Sequence, residues 1–442
     1  MPDDHLPLPH PHPLPDRAAH APPRPDVAPL SAIRATPPGG VERQAATPED
    51  GATRAWLARW LTDRGFAVVT DRVGNQFGLL ELVPGAPYVL AGSHLDSQHR
   101  GGRFDGAYGV LAAAHAAERL RTGPAAAGWT PRYNVAVVNW FNEEGSRFEP
   151  SMMGSAVFTG LMAPERALAT TDAAGTTVAD ALTAIGALGE ADVFCDGAHT
   201  VAGYVEIHIE QGRELDKSGT TLGLVHRTWA ANKYQISVLG EQAHTGATAI
   251  ADRRDALYGA ALVVVALRDL ADRFGEELHT SCGRLTVIPN SPVVVPREVR
   301  MHLDLRSPSD ALLAEADAAL RTTFAEIEVK AGVQIERHVA HTWTGQDYPA
   351  AGVALAREVA RDLGVSFMPV QTRAGHDSTN LKGAVPTVML FIPSVEGISH
   401  AEAEFTADAD LCRGLDVLTE TLARMVEGAL DPCDPDQPNA PA

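Results

Sequence analysis

Short apolar runs that alternate with helix-length segments are the feature that most limits how this chain can fold. From about residue 45 onward, the runs at 88–96 and 133–142 read as buried strands, and the segments 53–65 and 110–121 carry apolar residues at helical spacing. Alternation of this kind is typical of a mainly parallel β-sheet covered by helices, in which ligands bind beyond the carboxyl ends of the strands. The sequence therefore predicts an α/β fold of this class.

The texture of the sequence changes after residue 215, which indicates a second domain. Residues 223–337 read as a β-α-β-β-α unit, large enough to be an inserted domain with its own sheet. The flanking segments 45–222 and 338–430 would then form one catalytic domain, since 442 residues are enough for two cores. The proline- and histidine-rich leader 1–44 and the tail 431–442 lack apolar periodicity, and we expect both to be disordered. The leader's four histidines could bind metal weakly, although a solvated tail is the simpler interpretation.

Charge and cysteine content exclude several classes of function. The formal net charge is −20, from 36 basic and 56 acidic side chains, which argues against a nucleic-acid partner because such partners need a basic surface. The four cysteines, at 195, 282, 412 and 433, form no CxxC pair, so neither a zinc ribbon nor a redox motif is expected. No apolar run approaches the ~20 residues that span a bilayer, and the N-terminus lacks the basic-then-apolar pattern of a secretory signal. We expect a protein of the reducing cytoplasm with no membrane partner.

Histidines and carboxylates lie at the strand ends and in the glycine-rich loops that follow them. Two segments, GSHLDSQHRGGRFDGAYGV (92–110) and NWFNEEGSRFEPSMMGS (139–155), hold several of these residues. Glycine lets the backbone fold closely around an ion, and a carboxylate on such a loop can bridge two cations. The sequence therefore predicts a two-metal site with Asp105 as the bridge, formed by His94, Asp105, the pair Glu143–Glu144, His208 and His400.

The adjacent residues Glu143 and Glu144 suggest a division of labour. They point to opposite sides of an extended backbone, so one can bind a metal while the other faces a metal-activated water. Zinc lowers the pKa of bound water from about 15.7 to about 7, and a nearby carboxylate can then move the proton. Asp96, two residues after His94, is expected to fix the tautomer of that ring. This arrangement favours hydrolysis.

Each of these residues also has a structural interpretation when it is considered alone. A single His-x-Asp pattern is common, and a Glu–Glu pair is usually a solvated surface. His208 alternates with apolar residues in VEIHIEQG and could be a core histidine. His244 in GEQAHTG, and His376 and Asp377 in AGHDS, suit substrate or oxyanion contacts, although Asp377 could instead have a capping or turn role.

An ordered run of motifs connects these residues to a known family. It comprises GNQFGLLE, GSHLDSQHRGGRFDG, NEEGSRF, HIEQG, AHTGAT, DLRS, AGHDS and IPSVEGISH, within residues 45–428. The run resembles the amidase/hydantoinase/carbamoylase branch of the aminoacylase- and carboxypeptidase-like dinuclear zinc amidohydrolases, which includes N-carbamoyl-L-amino-acid hydrolase, β-ureidopropionase and allantoate amidohydrolase. EEGSRF and HIEQG favour this branch over the peptidase branches. The resemblance implies a zinc-exopeptidase-like sheet with a smaller inserted α+β domain that acts as lid and dimer interface.

The resemblance also implies a role for each ligand. His94, Asp105 and His208 would hold one metal, and Asp105, Glu144 and His400 would hold the other. Zinc or manganese is expected, although ligands of these types also accept cobalt or nickel.

Further roles follow from the same resemblance. Glu143 would be the general base and acid, and Asp96 would support His94. Three further positions match substrate contacts of the family: Gln211, His244 and Arg306. His376 is a fourth candidate for a substrate contact, because it is a polar group in a glycine-bearing loop. Arg306 would meet the substrate carboxylate with its bidentate fork. The chain would form a homodimer through residues 223–337, with His244 reaching the partner's active site.

Several positions depart from the family pattern, among them the segment HTGATAI (244–250), where the family has HAGTTPM, and three single residues. Val293 stands where the branch has asparagine, Arg297 where it has glycine, and Arg373 precedes AGHD where the branch has another glycine. The expected reaction is metal-dependent cleavage of a linear C–N bond in an N-carbamoyl (ureido) amino acid or close analogue. Alternatives are hydrolysis of a different N-acyl amino acid or small peptide amide, and a binding protein that has lost turnover. Arg297 or Arg373 could also select a more acidic substrate.

Overall fold

The computed structural model describes residues 27–123, 129–190, 193–194 and 199–431 of the 442-residue chain. These residues divide into two compact units. Unit 1 is drawn from residues 1–225, 348–370 and 375–442, and unit 2 from residues 226–347 and 371–374. The first 26 residues of the predicted leader, and the predicted tail after residue 431, lie outside the described residues.

Strands and helices alternate along most of the chain. The strands are β1 (Ala67–Thr70), β2 (Gln76–Leu80), β3 (Tyr88–His94), β4 (Asn134–Trp140), β5 (Val201–Ile209), β6 (Leu222–Thr228), β7 (Ala230–Leu239), β8 (Ala243–His244), β9 (His279–Ile288), β10 (Val294–Val295), β11 (Glu298–Ser307), β12 (Gln334–Trp343), β13 (Phe367–Thr372) and β14 (Thr387–Ile392). The helices are α1 (Val27–Ser31), α2 (Pro48–Thr62), α3 (Ala107–Thr122), α4 (Met153–Phe158), α5 (Pro164–Ala169), α6 (Val178–Ala184), α7 (Glu214–Ser218), α8 (Ala256–Phe274), α9 (Asp310–Ala331), α10 (Ala350–Asp362), α11 (Asp377–Leu381) and α12 (Asp408–Val426). Within the described ranges, none of these helices is long and apolar enough to cross a membrane.

The sheet of unit 1 is mixed, with parallel strands at its centre. Its order is β1-β2-β4-β3-β5-β14-β6-β13. The pairs β4–β3, β3–β5 and β5–β14 are parallel, whereas β1–β2, β2–β4 and β14–β6 are antiparallel. The four central strands are buried over nearly their whole length, as expected for strands covered by helices on both faces. The predicted α/β fold class is confirmed.

Alternate residues of the central strands enter two separate apolar cores. Val89 and Val135 pack with residues of α2, α3, α10 and α12 in one core. Leu90, Val138 and Trp140 point to the other face and join a second core. This alternation follows from the two-residue period of a strand. It fixes the register of the strands and therefore the direction of the side chains at their ends.

The prediction that residues 27–44 belong to a disordered leader is wrong. Residues 27–44 are ordered, and Leu30, Val41 and Arg43 are fully buried, each with 0% exposure. Arg43 Nε donates to the carbonyl oxygen of Leu95 (2.8 Å), and the Val41 N–H donates to that of Gly101 (3.0 Å). Contacts with the loop at 95–101 hold this segment in place. It therefore needs no apolar stripe of its own, and its sequence shows no local sign of order.

Unit 2 contains an antiparallel sheet in the order β12-β7-β11-β9, and β8 pairs with β10 separately. Helices α8 and α9 pack against one face of the four-stranded sheet, through a core that includes Ile236, Val299 and Leu320. The sequence ended the inserted segment at residue 337, but β12 continues to Trp343 and the unit to residue 347. The strand was missed because β12 lies at the edge of a sheet with one open face, so its sequence is largely polar.

Candidate metal centre

Four of the predicted ligand segments meet at one edge of the unit 1 sheet. His94 is the last residue of β3, Glu143 and Glu144 follow the end of β4, His208 is next to last in β5, and the loop with His400 follows β14. Because β4, β3, β5 and β14 are neighbouring parallel strands, their carboxyl ends share that edge.

Asp105 lies at the centre of the cluster, in the loop before α3. Its Oδ1 atom is 3.1 Å from His208 Nε2 and 3.7 Å from His94 Nε2. Its Oδ2 atom is 3.2 Å from His400 Nε2, which in turn is 3.4 Å from Glu144 Oε2. The ligand atoms form two groups, His94–Asp105–His208 and Asp105–Glu144–His400, and the atoms of each group lie within 4.8 Å of one another. Asp105 belongs to both groups.

The cluster is buried except at His400. His94 and His208 are each 1% exposed and Asp105 is 4% exposed, whereas the His400 side chain is 48% exposed. Burial would raise the pKa of Asp105, but its contacts with His208 and His400 hold that pKa well below the usual range. Burial would lower the pKa of His400, but Glu144 and Asp105 raise it to about 9. The carboxylates therefore create a field that favours bound cations.

Glu143 and Glu144 share a backbone anchor but face different partners. The carboxylate of Asp96 accepts the N–H groups of Glu143 (3.2 Å) and Glu144 (3.3 Å). Glu144 Oε2 accepts from Gln98 Nε2 (2.8 Å), while Glu143 Oε2 lies 3.5 Å from His94 Nε2. Burial, against the opposing charge of His94, raises the pKa of Glu143 well above its usual range. A carboxyl group with a raised pKa is a stronger proton acceptor, as a general base requires.

Asp96 contacts His94 more closely through its backbone than through its carboxylate. His94 Nδ1 lies 3.0 Å from the carbonyl oxygen of Asp96 and 3.6 Å from its Oδ1 atom. The predicted carboxylate contact is the longer one because the carboxylate is turned toward the N–H groups of Glu143 and Glu144. Either acceptor leaves His94 Nε2 facing Asp105. Asp96 therefore links two of the ligand segments.

Gly106 allows the ring of His94 to approach the start of α3. Its φ is +62°, and a Cβ atom at this position would lie 2.3 Å from Cε1 of His94. The Gly106 N–H also donates to His208 Nε2 (3.0 Å). Only glycine combines this backbone conformation with so close an approach. The last glycine of GGRFDG, Gly106, is thus explained by the two histidines that contact it.

Glu404 is a buried carboxylate that the sequence analysis did not identify. Its Oε1 atom accepts the N–H groups of Phe104 (2.9 Å) and Asp105 (3.0 Å), and its Oε2 atom accepts the Ser399 hydroxyl (3.1 Å). Burial and the charge of Asp105 raise the pKa of Glu404 to about 7. Glu404 therefore fixes the backbone of the shared residue Asp105. In the sequence HAEAE nothing distinguishes it from Glu402, so only the folded structure could have revealed it.

Gln211 and His376 lie beside the cluster. Gln211 Nε2 donates to Asp105 Oδ2 (3.0 Å), and the ring centroids of His376 and His208 are 4.6 Å apart. Burial and the charge of His208 lower the pKa of His376 well below its usual range, so its ring is neutral. Gln211 Oε1 and His376 Nε2 are buried without a hydrogen-bond partner among the described residues. Such atoms are suited to recognising a bound molecule. Asp377 is the first residue of α11, and His376 is its N-cap.

Arg306 and His244, the other two predicted substrate contacts, belong to unit 2. Arg306 donates through Nε (3.0 Å) and Nη2 (2.7 Å) to the carboxylate of Asp304, and through Nη1 to the carbonyl oxygen of Arg373 (2.6 Å). His244 is an exposed residue of β8, and its Nδ1 accepts two N–H groups of the following loop. The three hydrogen bonds made by Arg306 hold its guanidinium group in one orientation.

The donor set suits divalent transition metals. Imidazole nitrogens and carboxylate oxygens bind zinc, manganese, cobalt and nickel. Each group offers three protein donors, which leaves room for a water or a substrate atom, as catalytic sites require. The shared, strongly acidic Asp105 is the residue type that joins two ions. The residues present therefore fit a pair of divalent ions.

Comparison with known proteins gives one family and a set of relatives. The model of peptidase family M20/M25/M40 matches residues 87–424, which include every residue of the cluster. A protein of Mycolicibacterium smegmatis, named only as a hydrolase, is 68% identical over 405 residues, covering 91% of this chain and 92% of that protein. An N-carbamoyl-L-amino-acid amidohydrolase of Rhizobium meliloti is 32% identical over 390 residues, covering 88% and 92%. The crystal structure of an amidase of the hydantoinase/carbamoylase family from Burkholderia vietnamiensis superimposes with a TM-score of 0.85 at 36% identity, covering 90% of this chain and 95% of that one.

Proposed function

This chain belongs to peptidase family M20/M25/M40 and is a hydrolase of the amidohydrolase type, and on that premise we propose that it cleaves a linear, non-peptide C–N bond in an N-carbamoyl (ureido) amino acid or a close analogue. The predicted resemblance to the hydantoinase/carbamoylase amidases is confirmed by these relatives. One observation carries the proposal: Asp105 belongs to both ligand groups, and the buried acid Glu143 lies beside them, with its Oε2 atom 3.5 Å from His94 Nε2.

In the proposed site, His94, Asp105 and His208 hold one ion, and Asp105, Glu144 and His400 hold the other. Zinc or manganese is the expected metal, and cobalt or nickel is an alternative because the donors do not discriminate strongly among these ions. When bound, the two ions would supply Lewis acidity to the substrate carbonyl and lower the pKa of water.

Glu143 is the proposed general base and acid. Its raised pKa and the anchoring of its backbone by Asp96 support this role. As the oxygen of the attacking water bonds to the carbonyl carbon, Glu143 accepts a proton from that water. It then delivers the proton to the nitrogen that leaves when the C–N bond breaks. For a carbamoyl substrate, this one cleavage gives a free nitrogen product and a carbamate. The carbamate then loses carbon dioxide and releases the second nitrogen, so the final products are the free amine, ammonia and carbon dioxide.

Four further residues are proposed to bind the substrate. The partnerless buried atoms of Gln211 and His376 are suited to polar groups next to the scissile bond. Arg306, oriented by Asp304, is proposed to bind the substrate carboxylate, and His244 to contact substrate across the dimer. Asp96 supports the reaction by positioning Glu143, Glu144 and His94 rather than by touching substrate.

A second candidate function is hydrolysis of an N-acyl amino acid or small peptide amide. Val293 favours it, because this residue is 60% exposed and offers no polar group where the resembled branch has asparagine. A polar group of the substrate left unpaired when buried would cost on the order of 1–3 kcal/mol. Matched carbamoyl and acyl derivatives of the same amino acids would separate the two functions.

The test is a metal-reconstituted activity panel of ureido acids, including allantoate, carbamoyl-β-alanine and carbamoyl α-amino acids, alongside N-acetyl controls. Chelation should abolish turnover, and added zinc or manganese should restore it. Glu143→Gln should lower kcat about 10²- to 10⁴-fold while metal content stays the same. The matched control is Glu165→Gln, which alters an exposed carboxylate in α5. Full activity in metal-stripped protein, or normal turnover by Glu143→Gln, would reject the proposal.

A homodimer formed through unit 2 is also proposed. Helix α8 exposes Leu257 (39%), Tyr258 (44%) and Val265 (56%), and β9 pairs only with β11 among the described strands. Exposed apolar residues and an open strand edge are typical of subunit interfaces. Sizing in solution tests this proposal, and an active monomer would contradict it. We place the enzyme in the cytoplasm because its scattered cysteines do not suggest a disulfide framework.

A further inference from the structure

Arg43 is a fully buried cation of unit 1 to which the proposed function gives no role. It lies in the segment between α1 and α2, and its exposure is 0%. Burial lowers the pKa of its guanidinium group to about 10, although nearby carboxylates, Asp50 first and then Asp96, raise it. The group is therefore charged at neutral pH. A charge buried in this way is costly unless it is paired and hydrogen-bonded, so its hydrogen bonds show what it stabilises.

The hydrogen bonds of Arg43 are made on both sides of Asp96. Arg43 Nε donates to the carbonyl oxygen of Leu95 (2.8 Å). The backbone N–H of Arg43 donates to Ser97 Oγ (3.1 Å), and its carbonyl oxygen accepts the Ser97 N–H (3.2 Å). Arg43 Nη1 also donates to the carbonyl oxygen of Leu30 (3.4 Å), which ties the guanidinium group to α1. Arg43 thus holds the backbone immediately before and after this aspartate.

The loop 94–98, which contains Asp96, supports both ligand groups. His94 is a ligand of one group, and its Nδ1 atom lies 3.0 Å from the Asp96 carbonyl oxygen. Gln98 donates to both carboxylate oxygens of Glu144, a ligand of the other group, through its N–H (3.1 Å) and its Nε2 atom (2.8 Å). A displacement of this loop would therefore move a ligand in each group.

Asp96 connects the same loop to the proposed base. Asp96 is 1% exposed, and its carboxylate accepts the N–H groups of Glu143 (3.2 Å) and Glu144 (3.3 Å). The direction of that carboxylate depends on the backbone on either side of it, which Arg43 holds. Groups that orient metal ligands typically contribute about 10- to 100-fold to metal affinity or activity.

We propose that Arg43 is a positioning residue of the metal centre: it fixes the loop 94–98 and, through Asp96, the ligands and the base. Resting on the proposed function, this assignment names a residue on which the site depends and which touches neither metal nor substrate. A planar guanidinium suits the role because its Nε and Nη1 donors point in fixed directions, here to Leu95 and Leu30. Lysine at this position would keep the charge and lose the fixed geometry.

Metal binding without turnover is the first test. Metal-free proteins are titrated with zinc in competition with a coloured chelator, and the visible absorption of the cobalt-loaded proteins is recorded. Arg43→Met, which keeps an unbranched side chain without donors, should lower zinc affinity about 10- to 100-fold and change the cobalt spectrum, because the ligands lose their fixed geometry. Arg43→Lys should recover part of the affinity.

The matched control is Arg119→Ala. Arg119 is a half-buried arginine of α3 that pairs with Asp416 (2.9 Å) and lies about 18 Å along that helix from its first residue, Ala107. Its removal subtracts a cation from the same unit and should leave zinc affinity and the cobalt spectrum unchanged.

Urea unfolding of the same variants separates positioning from stability. Arg43→Met should also reduce the free energy of unfolding, so affinities are compared at a temperature at which each variant is folded. Ser97→Ala leaves the buried charge in place and removes only the hydroxyl that accepts the Arg43 N–H. It should lower zinc affinity about threefold or more. Unchanged zinc affinity and cobalt spectrum in folded Arg43→Met, or in Ser97→Ala where Arg43→Met does not fold, would overturn the proposal.

Kinetics separates this inference from the proposed function on which it rests. With a ureido acid that the unaltered protein hydrolyses, metal-saturated Arg43→Met should have a kcat about 10- to 100-fold lower and a KM within about threefold. This split is expected because the loop 94–98 holds metal ligands and the base. A raised KM with an unchanged kcat would contradict the positioning role. If the unaltered protein hydrolyses no ureido acid, the proposed function fails, and the zinc and cobalt measurements still decide the role of Arg43.

Discussion

In unit 1 the charges of the proposed metal site are buried, whereas in unit 2 the charges of the proposed substrate contact are partly exposed to solvent. His94 and Asp105 are at most 4% exposed, while the side chains of Arg306 and Asp304 are 25% and 21% exposed. Charges in a dry environment interact strongly and shift one another's pKa values, and charges near water are screened by solvent and salt. Unit 1 therefore depends on the exact placement of each group. The proposed substrate contact in unit 2 depends instead on the sum of several weaker electrostatic interactions.

The largest expected effect concerns a buried ion pair of unit 1. Arg54 Nε donates to both carboxylate oxygens of Asp50 (3.0 and 2.9 Å), and the two side chains are 5% and 0% exposed. Arg54→Ala leaves a buried carboxylate without its cation and should reduce the free energy of unfolding by about 3–5 kcal/mol. Urea unfolding measures this loss. A loss below about 1 kcal/mol would show that the pair is not effectively desolvated.

Next in size is the effect of a Cβ atom at Gly106. Gly106→Ala should lower metal affinity at least about 100-fold, because the new atom collides with the ring of His94 and strains the backbone. The matched control is Gly219→Ala, whose φ of +63° imposes the same strain with no atom within 4 Å of the new Cβ. Competition with a coloured chelator measures both affinities. Equal affinities in the two variants would show that the approach to His94 does not matter.

Removal of the charge of Glu404 should have a smaller effect on the same affinity. Groups that orient metal ligands typically contribute about 10- to 100-fold to affinity, and Glu404→Gln should fall in that range because its oxygen still accepts the Asp105 N–H. Glu402→Gln is the control, since Glu402 pairs with Arg100 at the surface. An unchanged affinity in Glu404→Gln would mean that Asp105 is positioned without this carboxylate.

A buried histidine far from the cluster gives a prediction for pH. Burial lowers the pKa of His115 to about 4, against an ordinary value of 6.5. The unfolded chain therefore binds more protons than the folded chain between these values. The contribution of His115 is complete above pH 6.5 and is lost as the pH falls toward 4, by up to about 3 kcal/mol.

His115→Gln should remove this part of the pH slope. Urea unfolding of both proteins at several pH values measures the difference between the two slopes. Glu404 has a raised pKa and contributes the opposite slope, but it does so equally in both proteins. Parallel slopes would contradict the assignment to His115.

The smallest effect should come from a surface ion pair of unit 2. Arg300 Nε lies 2.6 Å from Glu298 Oε1, but the Arg300 side chain is 63% exposed. Arg300→Ala should change the free energy of unfolding by about 0.5 kcal/mol or less, and salt should reduce even that. A loss as large as that of Arg54→Ala would remove the distinction between the two units.

The sequence located the centre of the fold and most of the cluster because both depend on local patterns. β3 and β4 are buried on both faces, so their apolar runs are unbroken and their ends are easy to recognise. Asp105 was found because glycine surrounds it. By contrast, Arg43 and Glu404 are buried by contacts with distant segments, which leave no local pattern. The edge strand β12 was missed for a related reason, since only one of its faces needs to be apolar.

The most direct test of this account is anomalous diffraction from crystals of the zinc- or manganese-loaded protein. We expect two metal peaks, one bounded by His94 and His208 and the other by Glu144 and His400, with one oxygen of Asp105 directed at each. A single peak, or metal bound away from Asp105, would contradict the claim that this aspartate joins two ions.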